Sequence, residues 1–142
     1  MKLLHQQLFW CEKYHTLLKM EELPHLTSRQ VQELKEWGKN HRKILSYEVH
    51  QQLWLKLNKD GFPSVLDLKP NGSLVEKDVF SENIRQGAWK VSDGFLFVKV
   101  ISNEFIIEYQ IVGNSVNNIH CGMEYINGTL STYCKFAKLA KD

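Results

Sequence analysis

A chain of 142 residues, 43% hydrophobic and 24% charged, has the balance of one globular domain long enough to bury a core without staples. Its formal net charge of +2, with no basic stripe, argues against nucleic acid as a partner. Three cysteines, Cys11, Cys121 and Cys134, form no C-x-x-C pair, and their odd number argues against a secreted disulfide framework.

The first residues, MKLLHQQLFWCEKYHTLLK, lack the pattern of a secretory signal. No run approaches the roughly 18 apolar residues of a membrane span. The expected location is cytoplasmic, with no membrane partner. Residues 2–20 read as a helix, because Leu4, Leu8, Cys11, His15 and Leu18 recur at helical spacing with Phe9 and Trp10 beside them. Pro24 breaks that pattern. Thr27 opens a second helix, with Gln30 three residues later completing a capping box and Gly38 near its end. Val31 and Leu34 are expected to pack on the rest of the protein. The densest basic patch, Lys39 to Lys43, is short and reads as a solvated helix end.

From Ile44 the period changes to two, with Leu45, Tyr47, Val49, Leu53, Leu55 and Leu57 on one side. Gln51 interrupts the alternation and leaves a helical start before Leu53 open. Turns at 58–61 and 70–72 bound a strand over 64–69, and residues 73–79 read as another. Asp67 and Glu76 are expected to be offset across that hairpin, since like charges directly opposite are destabilising.

The stretch 87–111 specifies three strands. Asp93-Gly94 suits a two-residue type I′ turn, pairing Val91 with Leu96 and Trp89 with Val98. A two-residue turn at Ser102-Asn103 would pair Val98 with Ile107 and Leu96 with Tyr109. One face then carries Trp89, Val91, Leu96, Val98, Val100, Phe105, Ile107, Tyr109 and Ile111. Phe95, Phe97 and Ile106 fall on the other face and call for cover by the first helix or by another chain. Beyond the loop 113–118, Asn127-Gly128 is a second strong hairpin signal. It places Ile119, Cys121, Met123 and Tyr125 on one side with Leu130, Thr132, Cys134 and Phe136. That register pairs Cys121 with Cys134 as buried, reduced, unreactive thiols on the core face.

The expected fold is therefore α+β, mostly antiparallel. A helical arm (1–43) precedes an up-and-down meander (44–142) that closes as a small barrel or strongly curved sheet, all within a single domain 1–142. The run from Trp54 through Gly61, Leu68 and Asn71-Gly72, then Gly87-Ala-Trp89, Asp93-Gly94-Phe95-Leu96 and Ile119 to Gly122, resembles lipocalin-like (calycin-type) small β-barrel domains. The chain departs from that pattern in having no G-x-W near the start of its first strand. The resemblance implies a hollow barrel holding an apolar or sugar-like ligand.

The sequence offers little catalytic chemistry. Cys11 and His15 share a helix face, but His5 lies off it, so no metal set converges locally. No G-x-S-x-G elbow or phosphate-cradling glycine loop is present, and His120 and Cys121 are strand neighbours pointing to opposite faces. No catalytic residue, metal or cofactor is expected. The expected function is a non-enzymatic binding module, with an apolar or glycan-like ligand in the barrel or a partner on its outer face. Trp54, Trp89, Leu96, Tyr109, Met123 and Tyr125 are the expected ligand contacts. The alternatives are a protein-interaction domain, adaptor or inhibitor, without a small ligand, and an enzyme with a polar barrel interior.

Overall fold

A computed structural model of the chain describes residues 2–59 and 61–140. Its strands are β1 (His41–Arg42), β2 (Leu53–Asn58), β3 (Ser64–Leu68), β4 (Ser73–Asp78), β5 (Ile84–Ser92), β6 (Phe95–Ile101), β7 (Ile106–Asn114), β8 (Ile119–Ile126) and β9 (Thr129–Leu139). From β2 to β9 each strand pairs antiparallel with the next, and β9 returns to β2, closing an eight-stranded up-and-down barrel. Closure removes the free sheet edges that would otherwise template aggregation. Among the described residues, no helix is long and apolar enough to cross a membrane.

The hairpin chemistry fixes much of this. Asp93 and Asn127 take φ of 54° and 50°, and Gly94 and Gly128 follow at 83° and 81°, as type I′ turns require. Val91 pairs with Leu96 and Trp89 with Val98. The next connection is longer than the two-residue turn at Ser102-Asn103. Ile101 pairs with Ile106, so Val98 meets Tyr109 and Leu96 meets Ile111. The register moves by two residues, and an even shift leaves every paired side chain on its expected face. Phe105 falls in the loop and is exposed. Asp67 pairs with Val75 and Glu76 with Leu66, so those two carboxylates are offset.

Three strand expectations are resolved or corrected. Of the two readings left open from Ile44, the helical start before Leu53 is the one that forms: Ser46–Val49 is a short helix, α3, and β2 begins only at Leu53. Within β2 the inward residues are Trp54 and Lys56, both buried, while Leu57 on the leucine side is exposed. A buried cation inside overrides the apolar count because anions wait for it there. Third, β9 carries one extra residue opposite Glu124 and Tyr125, so Cys121 pairs with Lys135 and Cys134 with Gly122. The bulge turns the two cysteines to opposite faces of the barrel wall.

Two cores result. The interior cluster joins Trp54, Leu66, Leu68, Leu74, Leu96, Val98, Val100, Tyr109, Ile111, Cys134 and Phe136 with Ile44 and Val49 from the segment before β2. The second lies on the outer face, where Phe95, Val112, Cys121 and Met123 meet Leu4 and Leu8 of helix α1 (Lys2–Tyr14). α1 ends before Leu18, because His15 turns to a φ of 55°. It covers Phe95 and Phe97 as expected, while Ile106 stays exposed. Helix α2 (Ser28–Gly38) has the expected box: Thr27 Oγ1 accepts from Gln30 N–H, and Gln30 Oε1 accepts from Thr27 N–H. Its packing differs from expectation. Val31 is exposed, no residue of α2 is buried, and Trp37 makes the main contact.

The short strand β1 positions the site. The basic patch is not a bare helix end: His41 and Arg42 pair with Asn114 and Gly113 of β7, on the edge that β6 has vacated. A Cβ on Gly113 would stand 2.7 Å from Arg42 O, so only glycine admits this approach.

Candidate functional site

Of the expected ligand contacts, Trp54, Trp89, Leu96 and Tyr109 face the barrel interior, and Met123 and Tyr125 lie outside beneath α1. The six do not converge. The two indoles are spent on backbone: Trp54 Nε1 donates to Val49 O at 2.9 Å and Trp89 Nε1 to Lys69 O at 2.8 Å.

The other half of the interior holds a polar network absent from those expectations. Glu76, fully buried, takes hydrogen bonds from Ser64 Oγ at 2.5 Å, Tyr109 OH at 3.0 Å and Arg85 Nε at 3.1 Å. Lys56 Nζ lies 3.4 Å from Glu76, 3.8 Å from Glu124 and 2.9 Å from Tyr109 OH, to which it donates. Arg85 reaches on to Asp78 at 2.5 Å. Burial works to raise the Glu76 carboxyl, but Lys56, Ser64 and Arg85 outweigh it and hold it below the ordinary range. Burial, and then Glu76 and Glu124, push the Tyr109 phenol well up. Burial likewise lifts the Cys134 thiol to about 12. These are titratable groups inside a barrel, but each charge is already met by another.

The second polar constellation lies outside, in a cleft of about 830 Å3 between α1, the α2–β1 turn and strands β8 and β9. The Trp37 and His41 rings stack with centroids 3.7 Å apart. Trp37 Nε1 donates to Glu12 Oε1 at 2.7 Å, and Tyr133 OH donates to Glu12 Oε2 in a very short bond. His41 Nδ1 lies 2.8 Å from Trp37 O, and Cys121 Sγ lies 3.9 Å from His41 Nε2. Burial, followed by the Glu12 carboxylate, holds the Cys121 thiol well above its usual range. Cys11 and His15, the pair visible in sequence, line the same cleft, with Lys59 and Lys135 also in its wall.

No protein-family model, curated protein or solved structure matches this chain. The site therefore rests on its own geometry. Sequence reasoning missed Glu12, Trp37, His41 and Tyr133 because they come from four elements. The one local signal was the aromatic and histidine at i and i+4, Trp37 and His41, astride a helix end.

Proposed function

We propose that the chain is a non-enzymatic binding module that takes a small glycan-like ligand in the outer cleft. The observation that carries this reading is the contrast in available space. Inward side chains of the barrel pack into one cluster, whereas the cleft has about 830 Å3, within the roughly 300–1,000 Å3 of small-molecule sites. Its walls suit a molecule with both apolar and hydroxyl faces. Trp37, His41 and Tyr133 offer rings; Asn40, Asn114 and Asn117 offer amides; Leu17, Val116 and Ile119 offer apolar rim. This moves the ligand from the barrel lumen, where a lipocalin-like protein would hold it, to the outer wall.

The test is NMR of 15N-labelled protein against a panel of mono- and oligosaccharides. A bound ligand is expected to shift the indole N–H of Trp37 and leave those of Trp54 and Trp89 in place. Ile119→Arg, which puts bulk and charge in the cleft on the face that carries Cys121, is expected to abolish the shift. Shifts confined to Trp54 and Trp89, or full binding by Ile119→Arg, would return the ligand to the lumen and overturn the reading.

A further inference from the structure

Three ligand-type atoms in the cleft point at one another. A Glu12 carboxylate oxygen, a His41 ring nitrogen and Cys121 Sγ all lie within 4.8 Å of each other, and His41 Nε2 is 3.9 Å from Cys121 Sγ. They come from α1, β1 and β8, so no local sequence pattern announces them. Ligands held at about 2.0–2.3 Å around a tetrahedral ion stand roughly 3.3–3.8 Å apart. Cys121 and His41, at 3.9 Å, are already near that spacing, and the widest separation needs to close by about 1 Å.

The lone pairs are aimed as well as near. Trp37 O can only accept, so His41 Nδ1 carries the ring proton and Nε2 turns a lone pair toward Cys121. Stacking on Trp37 pins the plane of that ring. Glu12 is held by Trp37 N–H and Tyr133 OH, one on each oxygen. A histidine held through its other nitrogen by a carbonyl, and a carboxylate held by neutral donors, are the outer supports that metal ligands have. As a plain hydrogen-bond cluster the trio is poor, because it leaves His41 Nε2 only a sulfur at 3.9 Å.

We propose that Glu12, His41 and Cys121 bind a zinc(II) ion, with the fourth position open to the cleft. The mixed oxygen, nitrogen and sulfur set fits a borderline-soft tetrahedral ion; calcium and magnesium favour oxygen alone. On binding, the Cys121 S–H bond breaks, the thiolate keeps the electron pair for the metal, and the proton leaves to solvent. The open position takes a water or a donor atom of whatever occupies the cleft. The site goes beyond the ligand reading and stands without it.

Cobalt(II) alone is the probe, added to untagged protein. The expected result is one equivalent bound, with intense tetrahedral visible bands and a thiolate charge-transfer band in the near ultraviolet, all displaced by zinc(II). Cys121→Ser is expected to lose the thiolate band, and His41→Phe, which keeps the stack on Trp37, to lose tight binding. Cys11→Ser and Cys134→Ser are expected to retain both. Tyr133→Phe, which frees one Glu12 oxygen, is expected to weaken affinity about tenfold. Circular dichroism of each metal-free variant verifies folding. The absence of a thiolate band in the parent, or its survival in Cys121→Ser, would overturn the site.

Discussion

The barrel interior and the outer cleft each gather polar side chains, and they do so on opposite terms. Inside, Lys56 and Arg85 sit among Glu76, Asp78 and Glu124, and every charge closes on a partner within 4 Å. Outside, Glu12, His41 and Cys121 bring together acceptors and a thiol with no cation among them. A network satisfied by its own members has nothing left to offer a ligand, and its energy is committed to one packing. A set of lone pairs converging on a common point is held there by its neighbours and stays incomplete. Titratable groups in a barrel therefore do not by themselves mark a site, and ligand-type atoms that converge with no counter-charge among them are the better guide.

Removing a carboxylate from each region separates the two most sharply. Glu76→Leu strands Lys56 and Arg85 without their shared partner in a buried interior, and about 3–5 kcal/mol of stability is expected to go. Glu12→Gln, at an exposed position where the amide oxygen still accepts from Trp37 and the amide N–H can donate to the Tyr133 hydroxyl, is expected to cost less than about 1 kcal/mol. Denaturant midpoints at constant m-value give both numbers. Equal losses would mean that the cleft is as structural as the interior, and the contrast would collapse.

The filled lumen is tested by deletion. Leu96 is fully buried in the interior cluster, so Leu96→Ala is expected to cost about 3 kcal/mol and leave a cavity. A ligand-holding lumen would already be open on one side of Leu96, and the loss would then fall near 1 kcal/mol.

Glu48 joins the two regions. It receives Arg42 of β1 at 2.8 Å and Lys138 of β9 at 2.8 Å, tying the strand that carries His41 to the barrel. Burial opposes its charge, but hydrogen bonds from Arg42, Lys138 and the Leu45 N–H outweigh it and bring the carboxyl down to about 2 from 4.5. The folded value is depressed, so the stabilisation is fully present above about pH 4.5 and fades as pH falls toward 2. Allowing for solvent screening, it amounts to about 1–2 kcal/mol. Glu48→Gln is expected to lose that amount at neutral pH and to converge with the parent near pH 2, in urea melts at each pH. A constant gap at all pH values would show that the bridge acts through shape, not charge.

Local rules were legible in the sequence. Asp93-Gly94, Asn127-Gly128 and the Thr27–Gln30 box name their own geometry, because a turn or cap depends on residues a few places apart. The up-and-down order followed from tight turns joining alternating strands, which left a barrel or a strongly curved sheet open until β9 was seen to pair with β2. The facing of β2 was not legible: Leu53, Leu55 and Leu57 outvote Lys56 unless Glu76 and Glu124 are known to lie across the lumen. Nor was the bulge in β9, which leaves no mark at Ser131 yet sends Cys121 to the cleft and Cys134 to the lumen. The trio of Glu12, His41 and Cys121 depends on that bulge, on β1 and on α1 docking together, and pairwise spacing carries none of these.

A small effect is expected where the structure is most local. α2 buries no residue, and it supplies Trp37, the side chain on which His41 stacks and from which Glu12 is held. One wall of the cleft therefore belongs to the least buried helix, at the low end of local stability. Thr27 Oγ1 caps it by accepting the Gln30 N–H at 3.2 Å, and Thr27→Ala is expected to remove about 1 kcal/mol. If the arm opens on its own, amide exchange in α2 speeds by about fivefold, while that of the interior strands stays unchanged. Zinc bound through Glu12 and His41 would then slow the same α2 amides, because ordering the ligands orders Trp37 between them. Equal acceleration throughout the barrel would mean that arm and barrel open as one unit, and the cleft wall would be as firmly built as the interior it is set against.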